Sequence, residues 1–332
     1  MAAAALWRVP AAWRLLRRVK KYLADRRFDA AVLVDSPALN LPIAELCRRA
    51  GVPVLYYVAP QTWAWGPRRW RNARIKKRVS RLACIWPFEE AYFCAAGIDA
   101  RYVGHPSFDR LLDNQPDSAD VARMRRGRSP VLALLPGSRR HVIDEVFPGQ
   151  LRIVQALKPE LENLGVVIVA ADDEARDLIS AHLDRAGRLD GARVVSGPRE
   201  RAAALAAADM ALVASGTVTL EVAYRGTPMI VMYNASRWFY QLVGRWLITT
   251  PYLSIPNLLA GRQIVPEFMP YYRSVDPIVE TARQWLASPE KLASIRRELL
   301  DATAPIAVAG AAGRTTQMLT ELIDRRRSQR GD

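Results

Sequence analysis

The chain has 332 residues, half of them hydrophobic, with 24% charged and a mean hydropathy of -0.05. That length exceeds the ~250–300 residues at which a single core stops growing, so two domains are expected, and the composition excludes a disordered or fibrous chain. The formal net charge of +15 points to an anionic partner (nucleic acid, acidic lipid or phosphorylated substrate) or to a proteome that uses arginine heavily.

The first sixteen residues mix Ala, Leu and Trp with Arg. Arg8 and Pro10 interrupt the apolar stretch and the basic residues follow it, which is the wrong order for a secretory signal. The segment reads as an amphipathic helix carrying Leu6, Trp7, Trp13 and Leu16, suited to a membrane interface or to packing on a sheet. No apolar run reaches the ~18 residues of a membrane span. Residues 30–35 and 52–58 read as strands flanking a helix over 39–50 that Gly51 ends. A helix over 68–79, a strand over 82–86 and a helix over 88–96 follow. The polar stretch 113–129 reads as a linker. A second alternation then runs through strands at 131–135, 166–171, 193–196, 210–214 and 229–233, closing with helices over 289–301 and 310–326. Strands apolar on both faces and alternating with helices predict parallel sheets covered on each side. The expected domains are residues 1–127, completed by a C-terminal helix within 306–332, and residues 128–305.

Cys47, Cys84 and Cys94 show no Cys-x-x-Cys spacing, and the histidines number only three, so neither a disulfide framework nor a zinc site is indicated. Two strand-to-helix turns stand out. In Leu134-Leu-Pro-Gly-Ser-Arg139, Gly137 permits close backbone approach, Ser138 offers a hydroxyl, and Arg139 sits at a helix start, where the helix dipole disfavours a cation unless an anion lies between them. In Ala214-Ser-Gly-Thr-Val-Thr-Leu-Glu221, the residues Ser215, Gly216 and Thr217 suit a diphosphate, and Glu221 suits a pair of sugar hydroxyls; a helix cap is the competing reading. Asp35, at a strand end before Ser-Pro, is either a turn residue or a general base. Pro60-Gln-Thr-Trp-Ala-Trp65 and the basic run from Arg68 suit stacking or a membrane interface, and no nucleic-acid-binding motif accompanies them.

Taken in order, Val34-Asp-Ser-Pro-Ala-Leu-Asn40, Tyr57-Val-Ala-Pro-Gln-Thr-Trp-Ala-Trp65, Pro87-Phe-Glu89, Val103-Gly-His-Pro106, Leu134-Leu-Pro-Gly-Ser-Arg139, Ala214-Ser-Gly-Thr217 with Glu221, and Ser254-Ile-Pro-Asn-Leu-Leu-Ala-Gly-Arg262 resemble the lipid-A-disaccharide synthase family over nearly the whole chain. The resemblance implies a GT-B fold of two Rossmann-like domains facing a cleft. It implies a metal-independent, inverting transfer from UDP-2,3-diacylglucosamine to 2,3-diacylglucosamine 1-phosphate, with no cofactor. Asp35 would be the essential carboxylate and Arg139 the essential arginine. Gly137, Ser138, Ser215, Gly216, Thr217, Glu221 and Asn257 would line the UDP-sugar pocket. Leu6, Trp7, Trp13 and Leu16 would meet the anionic inner face of the bacterial inner membrane. A homodimer is left open and no nucleic acid is implied. The family usually opens with a strand and a Gly-rich loop, and this chain begins after that point. Gln is usual where Met269-Pro270 stands. A UDP-sugar epimerase-like enzyme and a non-catalytic or divergent UDP-sugar-binding protein are the alternatives.

Overall fold

A computed structural model describes residues 9–64, 68–187, 189, 191–234 and 250–330. The expected interfacial residues Leu6 and Trp7, and Trp65, lie outside them. The chain divides into two compact units, one made of residues 1–109, 247–249 and 308–332, the other of 110–246 and 250–307.

The first unit opens with helix α1 (Val9–Asp25) and continues β1 (Ala31–Val34), α2 (Pro37–Arg49), β2 (Val54–Tyr57), α3 (Arg68–Arg78), β3 (Arg81–Cys84), α4 (Pro87–Ala95) and β4 (Ala100–Tyr102). The four strands pair in parallel in the order β1-β2-β3-β4. β4 is three residues long, too short for its periodicity to be read from sequence. α1 packs on α2 and α2 on α3. Ile43, Cys47 and Val54 form the core beneath α1, and Leu16, Val19 and Leu23 pack against it. Leu16 therefore faces its own domain and not a membrane. It shares the inward stripe of α1 with Val19 and Leu23, at three- and four-residue spacing.

The C-terminal helix α14 (Ala311–Arg330) covers the other face of this sheet, with Met318 and Leu322 against Leu55, Ala83 and Val103. The carboxylate of Asp109 caps it, accepting from the amides of Gly310 at 2.6 Å and Ala311 at 3.2 Å. Glu321 takes the guanidinium of buried Arg81 at 2.7 Å.

The second unit begins within the short helix α5 (Ser107–Leu111) and continues through α6 (Ser118–Arg125), β5 (Val131–Leu135), α7 (Arg140–Leu157), β6 (Gly165–Val169), α8 (Asp173–Ala186), β7 (Ala192–Val195), α9 (Pro198–Ala207), β8 (Met210–Ala214), α10 (Val218–Tyr224), β9 (Met229–Met232), α11 (Ile255–Ala260), β10 (Glu267–Phe268), α12 (Asp276–Leu286) and α13 (Pro289–Thr303). The expected linker over 113–129 is thus occupied by a helix, and the boundary falls at 109/110. The polar residues that read as linker are committed to ion pairs. Asp120 is buried and takes Arg199 of α9 at 2.8 Å, and Arg125 takes Asp209 at 2.7 Å. Arg225 donates to the carbonyls of Leu111 and Asn114.

All six strands of this unit are parallel, in the order β10-β9-β8-β5-β6-β7. In chain order that is 6-5-4-1-2-3, the doubly wound arrangement whose strand order reverses between its first and fourth strands, here β5 and β8. Every residue of β5, β6, β8 and β9 is buried, as a sheet covered on both faces requires.

Candidate functional site

In open α/β sheets ligands collect beyond the carboxyl ends of the strands, at the point where strand order reverses. In the second unit that point lies between the loops after β5 and β8, which are the two turns singled out from sequence. The first of them runs close to the end of β8: a side chain placed on Gly137 would meet Val142 at 2.7 Å and Ala214 at 3.7 Å. Gly137 has φ +110°, so both backbone conformation and space demand glycine there. Ser138 and Arg139 are exposed, and Arg139 is the N-cap of α7, its carbonyl accepting from the amides of Val142 and Ile143. A cationic residue therefore occupies the N-cap, at the positive end of an 18-residue helix, an arrangement favoured by an anion bound there. Gly216 and Thr217 are exposed and Ser215 half-buried, while the carbonyl of Gly216 is held by the amide and hydroxyl of Thr219.

Two expected pocket residues are already engaged. The carboxylate of Glu221 pairs with Arg201 of α9, a partner that nothing in the local sequence marks. Arg201 keeps a buried Nε without a hydrogen-bond partner. Asn257 is fully buried and does not line the pocket. Its carbonyl oxygen accepts from the amides of Ile264 and Val265, at 2.7 and 3.0 Å, and its amide donates to the carbonyl of Val265 and the carboxylate of Glu267. Glu267 in turn accepts from the amides of Leu253 and Ser254 and from the Ser254 hydroxyl. The pair holds the turn into β10 and leaves Asn257 no capacity for a ligand. Met269 follows β10 directly.

In the first unit the carboxyl ends of the strands carry backbone strain. Asp35, Ser36 and Val58 have φ of +50°, +49° and +64°. Asp tolerates this region, but a β-branched Val there is an outlier costing on the order of 1–3 kcal/mol, a strain typical of functional loops. Hydrogen bonds hold the conformation: the Asp35 amide donates to the Tyr57 carbonyl at 2.9 Å, the Asn40 side chain donates to the carbonyls of Val34 and Asp35, and the Tyr56 phenol also donates to the Asp35 carbonyl. Burial, and then the neighbouring Asp35 charge, push the Tyr56 phenol pKa up. The Asp35 side chain itself is exposed. Asn40 and Tyr56 were not singled out individually from sequence, since a hydrogen bond to a strand-end carbonyl leaves no periodic trace.

The remaining motifs of this unit meet beside that edge. Glu89 is fully buried and accepts from the Trp63 indole at 2.9 Å and from the amides of Ile85 and Trp86, each at 3.1 Å. Burial lifts its carboxyl to about 7, against hydrogen bonds that pull the other way. His105 is buried with its ring centroid 4.7 Å from that of Trp86, its Nδ1 accepts from the Ser107 amide, and burial lowers its pKa to about 4. It is a neutral packing residue.

The lipid-A-disaccharide synthetase family model matches residues 3–301. The chain belongs to the lipid-A-disaccharide synthetase family. A lipid-A-disaccharide synthase of Myxococcus xanthus is 36% identical over 324 residues, covering 95% of this chain and 81% of that protein. One from Syntrophus aciditrophicus is 33% identical, covering 93% and 79%, and one from Neisseria gonorrhoeae is 33% identical, covering 88% and 74%. Among solved structures, this family member resembles the S. aureus MnaA–UDP co-structure, with a TM-score of 0.63 at 11% identity, over 95% of this chain and 81% of that one. It also resembles Anabaena Alr3699/HepE in complex with UDP, with a TM-score of 0.55 at 12% identity, over 94% and 82%. At those identities the likeness concerns the fold: two Rossmann-like domains, as expected.

Proposed function

We propose that this chain is a hexosyltransferase of lipid A biosynthesis, joining UDP-2,3-diacylglucosamine to 2,3-diacylglucosamine 1-phosphate. One observation carries the reading: the family's motif residues Asp35 and Arg139 both lie past the carboxyl ends of strands, Asp35 directly after β1 and Arg139 at the end of the turn from β5 into α7, in a chain related to the synthases over most of its length. The epimerase-like alternative rests on a shared fold alone and is not favoured.

In this mechanism the 6-hydroxyl of the acceptor attacks the anomeric carbon of the donor. The new C–O bond forms as the bond to the diphosphate breaks, and the configuration inverts. Asp35, exposed on a strained and tightly hydrogen-bonded turn, takes the hydroxyl proton. Negative charge grows on the departing UDP. Arg139, the start of α7 and the loop of Ser215, Gly216 and Thr217 receive it, with Ser138 supplying a hydroxyl. Glu221, steadied by Arg201, accepts from sugar hydroxyls. No metal or cofactor is assigned to the step.

The chain would work as a peripheral protein on the inner face of the inner membrane. No helix among the described residues is long and apolar enough to cross a membrane. The charge distribution supports surface attachment: residues 9–78 hold 16 Lys and Arg against 4 Asp and Glu, most of the net +15. α1 and α3 both pack on α2, and they expose Trp13 at 61% and Trp70 at 59% amid arginine and lysine. Basic helices with exposed Trp suit an anionic headgroup layer. A glycolipid acceptor follows from the same reading.

The deciding experiment is UDP release in mixed micelles with both substrates. Acceptor-dependent release is expected. Its absence, with UDP binding still seen by calorimetry, would overturn the synthase reading in favour of a donor-binding protein.

A further inference from the structure

We propose that Glu89 is a positioning residue for the sugar acceptor: its buried carboxylate clamps Trp63 and so holds the loop after β2, residues 58–64, in the shape that receives the acceptor. The inference rests on the glycosyl-transfer reading above.

The loop lies beside Asp35, because β1 and β2 are paired through Val34 and Tyr57, and the Asp35 amide bonds the Tyr57 carbonyl. It begins at Val58 in the left-handed region, a conformation that persists only when its surroundings over-determine it. Two buried anchors do so. The Thr62 hydroxyl donates to Asn72 of α3 at 2.7 Å, and the Trp63 indole donates to Glu89 of α4 at 2.9 Å. The Trp63 ring is also set edge-on to Phe88, with centroids 4.9 Å apart. Between residues 59 and 64 only Gln61 is exposed, so the anchors decide which side chain this loop presents at the carboxyl edge.

A helix cap does not by itself require this carboxylate. One oxygen, Oε2, serves both backbone amides of residues 85 and 86, and among the described residues the other, Oε1, serves the indole. A glutamine could keep the first contact with its carbonyl, but its NH2 would then face the indole N–H, donor against donor. Retaining an acid in a fully buried position, where ionisation is disfavoured, therefore secures one thing that an amide does not: the bond to Trp63.

Glu89→Gln thus cuts the clamp while keeping the backbone contacts, and Trp63→Phe removes the donor while keeping a ring. The test is steady-state UDP release at pH 8, varying each substrate in turn, with melting temperatures recorded alongside. The expected result is an acceptor KM raised about tenfold in both variants, with donor KM within twofold of wild type. An unchanged acceptor KM, or equal changes in both KM values tracking a lowered melting temperature, would overturn the proposal. If Glu89→Gln does not fold, Trp63→Phe decides by the same criterion. A wild-type chain without acceptor-dependent UDP release would instead overturn the functional reading, and the clamp's purpose with it.

Discussion

Replacing Asn257 by Ala separates a structural role from a ligand-binding one. The side chain makes four hydrogen bonds in a fully buried setting, and its loss strands the amides of Ile264 and Val265 together. A buried polar group left without a partner costs about 1–3 kcal/mol. Glu267 keeps three other donors, and water entering the vacated space recovers part of the loss, so the total should be about 3–4 kcal/mol. In a domain of this size each kcal/mol lowers the melting temperature by roughly 2–4 °C, which predicts a fall of roughly 6–16 °C. Thermal melts followed by circular dichroism measure it. UDP titration calorimetry at a temperature where the variant is folded should give a Kd within twofold of wild type. A variant that melts normally but binds UDP ten times more weakly would refute the argument and return Asn257 to the pocket.

Arg139→Ala should lower kcat by about 10²–10³, as loss of a charge-stabilising donor does, while liposome sedimentation stays unchanged; wild-type turnover would remove Arg139 from the donor site. Arg201→Met frees the Glu221 carboxylate and should weaken UDP-sugar binding about fivefold by calorimetry, a loss of about 1 kcal/mol; unaltered binding would mean that the pair is structural. Glu89 has its pKa raised from 4.5 to about 7 by burial, so its contribution to stability is complete below about pH 4.5 and lost as pH rises through about 7. Wild-type protein should therefore lose melting temperature relative to Glu89→Gln between pH 5 and pH 8, and parallel pH curves would contradict a buried acid. Replacing Trp13 and Trp70 together by Ser should weaken sedimentation with anionic liposomes severalfold, most clearly at low salt; no change would rule out α1 and α3 as the attachment surface.

Strand and helix alternation was legible because the central strands are buried on both faces, so continuous apolar runs such as Val131–Leu135 could belong only to covered strands. The turns at Gly137 and Gly216 were legible because glycine between a strand and a helix is a local requirement. Contiguous motifs also carried the family, since Asp35, Arg139 and Glu221 each sit in a short run of characteristic residues.

What the chain brings together from afar was not legible. Polarity over 113–129 suggested solvent, yet Asp120 and Arg125 find partners some eighty residues away, and only the fold decides that. Asn257 entered the expected pocket through the family resemblance alone, and its four bonds close only when the turn into β10 returns beside it. Leu16 looked free to meet lipid until α2 supplied the surface that covers it. The pairing of Glu221 with Arg201 and the burial of Glu89 under Trp63 follow the same rule. A sequence determines which groups need partners, since propensity and hydrophobic period act over a few residues. Which partners they obtain depends on contacts between elements distant in the chain, and for this protein the tertiary structure alone decided them.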